Sequence, residues 1–166
     1  MSPSPESPIL VHPFPPFTGE RPRVLVLGSF PSVKSRETGF YYGHPQNRFW
    51  RVLAGVTGED TPASLEDKKR LLSNHGIALW DSIASCAITG SSDASIRNAV
   101  PNDIASLLKA TGVTRVFCNG KKAHELYQKF VFPTTGVPAA LLPSTSPANA
   151  ACSLAKLTEA WRVIVG

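Results

Sequence analysis

A chain of 166 residues is long enough for one domain around one hydrophobic core. Its hydrophobic fraction is 42%, and no apolar run approaches the roughly 20 residues that a membrane helix needs. The 17 basic and 12 acidic side chains give a formal net charge of +5 and a pI of about 9.3, on the basic side of the rough threshold of 9 for nucleic-acid binders; a small basic protein with no such partner has the same balance. The N-terminus lacks a basic segment followed by an unbroken apolar core, so it does not read as a secretory signal, and a cytoplasmic location is the expectation. Cys86, Cys118 and Cys152 are far apart with no C-x-x-C pair. His12, His44, His75 and His124 show no ligand spacing. A zinc site or iron–sulfur cluster is therefore not expected, and no cofactor is implied.

Residues 1–20 are rich in Pro and Ser and read as an extended arm, docked through Phe14 and Phe17, with the domain proper over 21–166. Arg23 to Leu27 is a continuous apolar run ending in Gly28, which suits a buried parallel strand. Gln46 to about Ala54 predicts a helix burying Phe49, Trp50 and Leu53. Ser64 caps a helix running to His75, with Gly76 as the stop. Ile77 to Trp80 is a second short strand ending at Asp81. Asn102 caps a helix through Ala110, and Val113 to Cys118 is a third strand, ending at Asn119-Gly120. Lys121 to Phe130 reads as helix, Ala139 to Leu142 as a fourth strand, and about Ala148 to Val163 as a last helix. This alternation predicts a three-layer α/β/α domain with a central, mainly parallel four-stranded sheet.

In open α/β sheets ligands bind beyond the carboxyl ends of the strands. The four segments that follow the predicted strands begin Gly28-Ser29-Phe30-Pro31-Ser32, Asp81-Ser82-Ile83, Asn119-Gly120-Lys121-Lys122 and Pro143-Ser144-Thr145-Ser146-Pro147. All are polar and rich in turn formers, which ordinary connectors also are. Tyr42, beside Gly43 and His44, is either a core aromatic or a stacking platform for a base. Asn47 sits in the first turn of a predicted helix, where its amide can face a pocket, and Arg48 can reach a phosphate. Pre-formed hydroxyls at 144–146 before a helix suit a phosphate clamp, or else a rigid helix start.

From about residue 22 to 165 the chain resembles the uracil-DNA glycosylase superfamily. The stretch Gly43-His44-Pro45-Gln46-Asn47-Arg48-Phe49-Trp50 is similar to the mismatch-specific uracil glycosylases, and Leu142 to Asn149 resembles the superfamily's DNA-intercalating loop. The combination of Gly28 to Ser32, Tyr41 to Asn47 and Gly90-Ser91-Ser92-Asp93 is most similar to the hypoxanthine-DNA glycosylases. The resemblance implies a monofunctional enzyme that flips a deaminated base from double-stranded DNA and hydrolyses its glycosidic bond, acting as a monomer. It assigns the catalytic amide to Asn47 and the base-stacking aromatic to Tyr42. Read from their places at the strand ends, the Asn47 carboxamide oxygen would hold the water, and Gly28, Ser29, Phe30, Pro31, His44 and Asn119 would bind the base, Asn119 being equally a turn residue before Gly120. Arg48, Lys121, Lys122, Ser144, Thr145, Ser146, Pro147 and Asn149 would grip DNA, Lys121 and Lys122 being equally readable as solvated lysines at a helix start. Asp81 and Asp93 fall near the pocket without an assigned role.

Two positions depart from the superfamily pattern. Phe30 stands where mismatch-specific members carry a water-positioning Asn and where others place an Asp in the same segment; Ser144 stands where a His or Asn opens the second motif. Both departures favour hypoxanthine over uracil as substrate. A uracil or broad-specificity glycosylase, and a catalytically silent DNA-binding domain, are the alternatives.

Overall fold

A computed structural model describes residues 8–165. Residues 1–7 of the arm lie outside the described residues. The first strand, β1 (Ile9–Val11), comes from the rest of that arm, followed by β2 (Val24–Gly28), α1 (Val33–Thr38), α2 (Phe49–Thr57), α3 (Leu65–Asn74), β3 (Ile77–Asp81) and β4 (Ile83–Ala87). The second half holds β5 (Arg97–Pro101), α4 (Ile104–Thr111), β6 (Arg115–Asn119), α5 (Lys121–Leu126), α6 (Phe132–Thr135), β7 (Ala139–Leu142) and α7 (Leu154–Trp161).

The main sheet is parallel throughout, in the order β3-β2-β6-β7. Every residue of β2 is buried, as a central strand covered on both faces requires. On one face Val24, Val26, Leu79 and Phe117 pack with Phe49, Leu53, Leu72, Leu157 and Trp161 from α2, α3 and α7. On the other Leu25, Leu27, Val116 and Cys118 pack with Ile104, Leu108 and Ala123 from α4 and α5. The expected three-layer arrangement and its parallel sheet are thus present.

Register sets up the site. Gly28 pairs with Asp81, Leu27 with Cys118 and Asn119 with Leu142, so all four strands end at one level. The segments that follow leave from the same edge.

A second, antiparallel sheet, β1-β4-β5, was not anticipated. Its strands are short, and the β4–β5 ladder shifts register twice, so no clean alternation marks it. Phe14 and Phe17 pack against the core, and Phe17 exchanges backbone hydrogen bonds with Leu79 at 2.9 and 2.8 Å.

Several helix starts move. α2 begins at Phe49, not Gln46, because the Asn47 carboxamide accepts the Phe49 N–H at 2.9 Å. Asp103 caps α4 by accepting the Ser106 N–H at 3.1 Å, while Asn102 donates its amide to the Asp81 and Ile83 carbonyls. Residues 148–153 form turns, and Ser153 caps α7. The predicted helix over 121–130 widens into a π-helical stretch at Tyr127–Val131.

Candidate active site

A cavity of about 290 Å³ opens beyond the carboxyl ends of the parallel strands. Gly28, Ser29, Phe30, Pro31, Tyr42, His44, Asn47, Asn119, Ser144, Thr145, Ser146 and Pro147 all line it, and so do Asp81 and Asp93. Most of the residues singled out from sequence are therefore in one place. Among the described residues no cluster of three or more His, Cys, Asp or Glu side chains is arranged to hold a metal ion, and no helix is long and apolar enough to cross a membrane.

Gly28 is a glycine because of what lies against it. A Cβ there would overlap Asp81 Oδ1 and stand 3.3 Å from the Tyr42 hydroxyl. Phe30 packs in a small cluster with Ile83, Cys86 and Leu126, and the Ser29 hydroxyl donates to Asp93 Oδ1 at 2.7 Å.

Tyr42 takes the left-handed backbone conformation, φ 53°, which is costly for a bulky residue and is held here by its surroundings. Its ring stacks on Phe49 with centroids 4.0 Å apart, and its indole neighbour Trp50 donates Nε1–H to the Tyr42 carbonyl at 3.2 Å. The Tyr42 hydroxyl is buried with no well-formed hydrogen bond among the described residues; burial, with Asp81 adding to it, pushes the phenol well above its ordinary range, and the nearby Asn119 side chain opposes the rise. His44 is exposed at the rim, and its Nδ1 accepts the Gln46 N–H at 3.1 Å, which fixes the tautomer with hydrogen on Nε2.

Asn47 belongs to a chain of polar groups running beneath the cavity wall. Asn119 Nδ2–H donates to Thr145 Oγ1 at 3.0 Å; Thr145 Oγ1–H donates to Asn47 Oδ1 at 2.8 Å. The Thr145 N–H returns to Asn119 Oδ1 at 3.0 Å. Asn47 Oδ1 thus carries two donors, this hydroxyl and the Phe49 N–H. A carbonyl oxygen has two lone pairs, and a backbone N–H pointing at the amide can only meet oxygen. The orientation of the carboxamide is therefore fixed, and its NH2 is the group left to act. The expected use of the oxygen to hold water does not fit this arrangement.

Two other expectations are corrected, and a third residue is already partly engaged. Arg48 does not extend toward a phosphate. Its guanidinium donates to the Ser146 carbonyl at 3.1 Å, to the Asn149 carbonyl at 2.9 Å and to the Cys152 carbonyl, bracing the 144–152 loop from inside. Thr145 is fully buried and serves the polar chain, so it cannot grip DNA. Asn119 spends Oδ1 and one Nδ2–H on Thr145 and still lines the cavity. The sequence signal for all three was present only as residue type; their partners are about 26 to 104 residues away along the chain.

Ser144 and Ser146 use their Oγ atoms to accept the Ser146 and Ala148 N–H groups, both at 3.1 Å, which leaves each hydroxyl hydrogen free to donate outward. Asn149 braces the same loop through its amide to the Ser144 carbonyl at 3.0 Å. Next to them lies a second cavity of about 720 Å³, bordered by Lys121, Lys122, Ser144, Ser146 and Asn149.

An α/β sheet with a small polar cavity at its carboxyl edge, an aromatic platform, a fixed carboxamide and a hydroxyl- and proline-rich loop defines a class of nucleobase-handling domains. The sequence profile of the uracil DNA glycosylase superfamily matches residues 15–164. The chain belongs to that superfamily. It is 34% identical to a hypoxanthine DNA glycosylase of Methanosarcina acetivorans over 153 residues, covering 91% of this chain and 95% of the relative. It is 35% identical to a hypoxanthine DNA glycosylase of Methanosarcina barkeri over 139 residues, covering 82% and 86% respectively. The NMR structure of a candidate uracil DNA glycosylase from Methanosarcina acetivorans superposes with a TM-score of 0.76 at 31% identity, covering 91% of this chain and 96% of that one.

Proposed function

We propose that this protein is a monofunctional DNA glycosylase that removes hypoxanthine from deoxyinosine in double-stranded DNA, acting as a monomer in the cytoplasm. Breaking the N-glycosidic bond builds positive charge on the sugar and negative charge on the departing base. Flipping the nucleotide costs a few kcal/mol, and less for a mispaired base, so deoxyinosine opposite thymine is favoured at the first step. A cavity of about 290 Å³ at the carboxyl edge of the sheet has room for a flipped base. Tyr42 stacks on the flipped base, and the backbone N–H groups of Ser29 and Phe30 donate to its exocyclic oxygen.

The observation that carries this reading is the fixed carboxamide of Asn47. Its oxygen is held by Phe49 and Thr145, so its N–H groups serve the reaction as donors to the purine as negative charge develops there. A donor already oriented costs no reorganisation at the moment of bond breaking. No lysine is among the residues lining the cavity, which supports hydrolysis by water rather than a Schiff base. Lys121, Lys122, Ser144 and Ser146 grip phosphates beside the base pocket, and Pro147 and Asn149 help fill the gap left in the duplex.

The test is single-turnover base release from duplexes holding deoxyinosine, uracil or xanthine, followed by alkaline cleavage of the abasic site. Wild type is expected to act fastest on deoxyinosine, and Asn47→Ala to lose that activity. Faster release of uracil would replace hypoxanthine as the substrate. No release from any duplex would leave a DNA-binding domain without catalysis.

A further inference from the structure

With the Asn47 oxygen occupied, the attacking water still needs an acceptor. Two carboxylates line the cavity, Asp81 and Asp93. Asp81 lies at the end of β3, almost wholly buried, and its Oδ2 is 2.7 Å from His12 Nε2. Asp93 lies elsewhere. It borders both the base cavity and the second cavity with the lysines and serine hydroxyls. Among the described residues, only Asp93, Asn119, Ser144 and Ser146 line both. On the glycosylase reading, a flipped nucleotide with its base in the first cavity and its phosphates toward the second would carry its sugar across that shared wall. Asp93 is the one carboxylate on it.

Asp93 is also held in place. The Ser29 hydroxyl donates to Oδ1 at 2.7 Å, and no described residue donates to Oδ2. The loop that carries it is tied to the start of α1 twice more: the Val33 N–H donates to Ser91 Oγ at 2.9 Å, and Arg36 Nη2–H to the Gly90 carbonyl at 2.6 Å. Ser95 closes the turn by accepting the Thr89 N–H at 2.8 Å. The segment Gly28 to Ser32 contains no carboxylate of its own, yet its serine grips one supplied by the loop after β4.

We propose that Asp93 is a catalytic residue, the carboxylate that orients and deprotonates the attacking water; this rests on the glycosylase reading above. The N9–C1′ bond breaks and its electron pair leaves on the purine. The water oxygen bonds to C1′, and its proton passes to Asp93 Oδ2. That proton then leaves through solvent as the purine anion takes one up, so the products are neutral base and abasic sugar. Although much of the residue is exposed, burial of its carboxyl pushes Asp93 above the ordinary carboxylate range; Asp81 adds to the rise, while the Ser29 hydroxyl and Lys122 oppose it. A carboxylate so shifted is a stronger base. The titratable groups facing it are Asp81, Tyr42, Cys86 and Lys122.

The experiment is single-turnover base release by wild type, Asp93→Ala and Asp93→Asn on whichever lesion duplex wild type cleaves fastest, across pH and with added formate. Duplex affinity is measured in parallel. The expected result is a loss of ~10²–10⁴-fold in rate with affinity kept, as for removal of a general base. The fall of the wild-type rate toward acid, set where Asp93 takes up its proton, should vanish in both variants, and formate should restore part of the rate in Asp93→Ala. If Asp93→Ala does not fold, Asp93→Asn keeps the shape and the Ser29 hydrogen bond and carries the same comparison. A variant rate within about threefold of wild type, or a loss that formate leaves untouched and that leaves the acid limb in place, overturns the assignment alone. No release by wild type from deoxyinosine, uracil or xanthine duplexes overturns the glycosylase reading together with it.

Discussion

His12 Nε2 lies 2.7 Å from Asp81 Oδ2, and both side chains are 4% exposed. The other ring nitrogen donates to the Phe14 carbonyl at 2.7 Å, so the imidazole is fixed at both ends. A residue of the N-terminal arm thereby holds a carboxylate in the floor of the base cavity. Removing one partner of a buried pair typically costs about 3–5 kcal/mol, because the other is left unpaired. His12→Ala is expected to lower the melting temperature by roughly 10 °C at this chain length. Deleting residues 1–13 should do at least as much. An unchanged melting curve for either variant would show that the pair contributes nothing.

Asn47→Asp separates two uses of the same position. Aspartate keeps both acceptor contacts, to Phe49 and Thr145, and loses the N–H groups. If Asn47 acts as a donor, the variant should lose ~10²-fold or more in single-turnover rate, as when one oriented donor is removed. Near-wild-type release by Asn47→Asp would instead restore the carboxamide oxygen as the water-holding atom.

Thr145→Val removes one hydroxyl from a fully buried position. It leaves Asn47 Oδ1 and Asn119 Nδ2 each short of a partner. About 1–3 kcal/mol of stability should go with it, read by urea unfolding, together with a slower base release because the Asn47 amide is no longer held. A variant that is destabilised but catalytically unimpaired would disconnect the polar chain from the chemistry.

Gly28→Ala places a methyl group against Asp81 Oδ1. Overpacking of this kind costs about 1–3 kcal/mol. Base release should fall as well, since Asp81 and the Tyr42 hydroxyl both flank the added carbon. Thermal melting and single-turnover rates measured together check this, and a silent substitution contradicts it.

Lys121→Ala and Lys122→Ala should weaken binding to lesion and undamaged duplexes alike. Removing one lysine–phosphate pair should lower the slope of log affinity against log salt by about 1. Titrations at several salt concentrations give the slope directly, and an unchanged slope removes that lysine from the DNA interface.

The strands of the main sheet were readable because buried parallel strands are short apolar runs that end in turn formers; β2 and β7 matched residue for residue at their C-terminal ends. The small sheet was not readable, because β4 reads Ile-Ala-Ser-Cys-Ala and β5 is a half-exposed edge containing Asn98 in the left-handed conformation. Most of the cavity wall was legible as strand-end segments. The direction of each side chain was not. Arg48 and Asn119 look like ligand-binding residues until their partners in the 144–152 loop are known, and those contacts exist only in the folded chain. Asp93 was visible beside a motif but had no role until Ser29, 64 residues earlier, was seen to hold it.

The polar chain through Thr145 also constrains how the sequence can vary. Asn119, Thr145 and Asn47 come from three separate segments, and each supplies a donor or acceptor that the next one needs. A change at any one leaves an unmatched group at another, so single replacements pass through a damaged intermediate. Relatives of this chain should therefore keep all three or replace them as a set. Positions 47, 119 and 145 then behave as one inherited unit, although no two of them are neighbours in sequence.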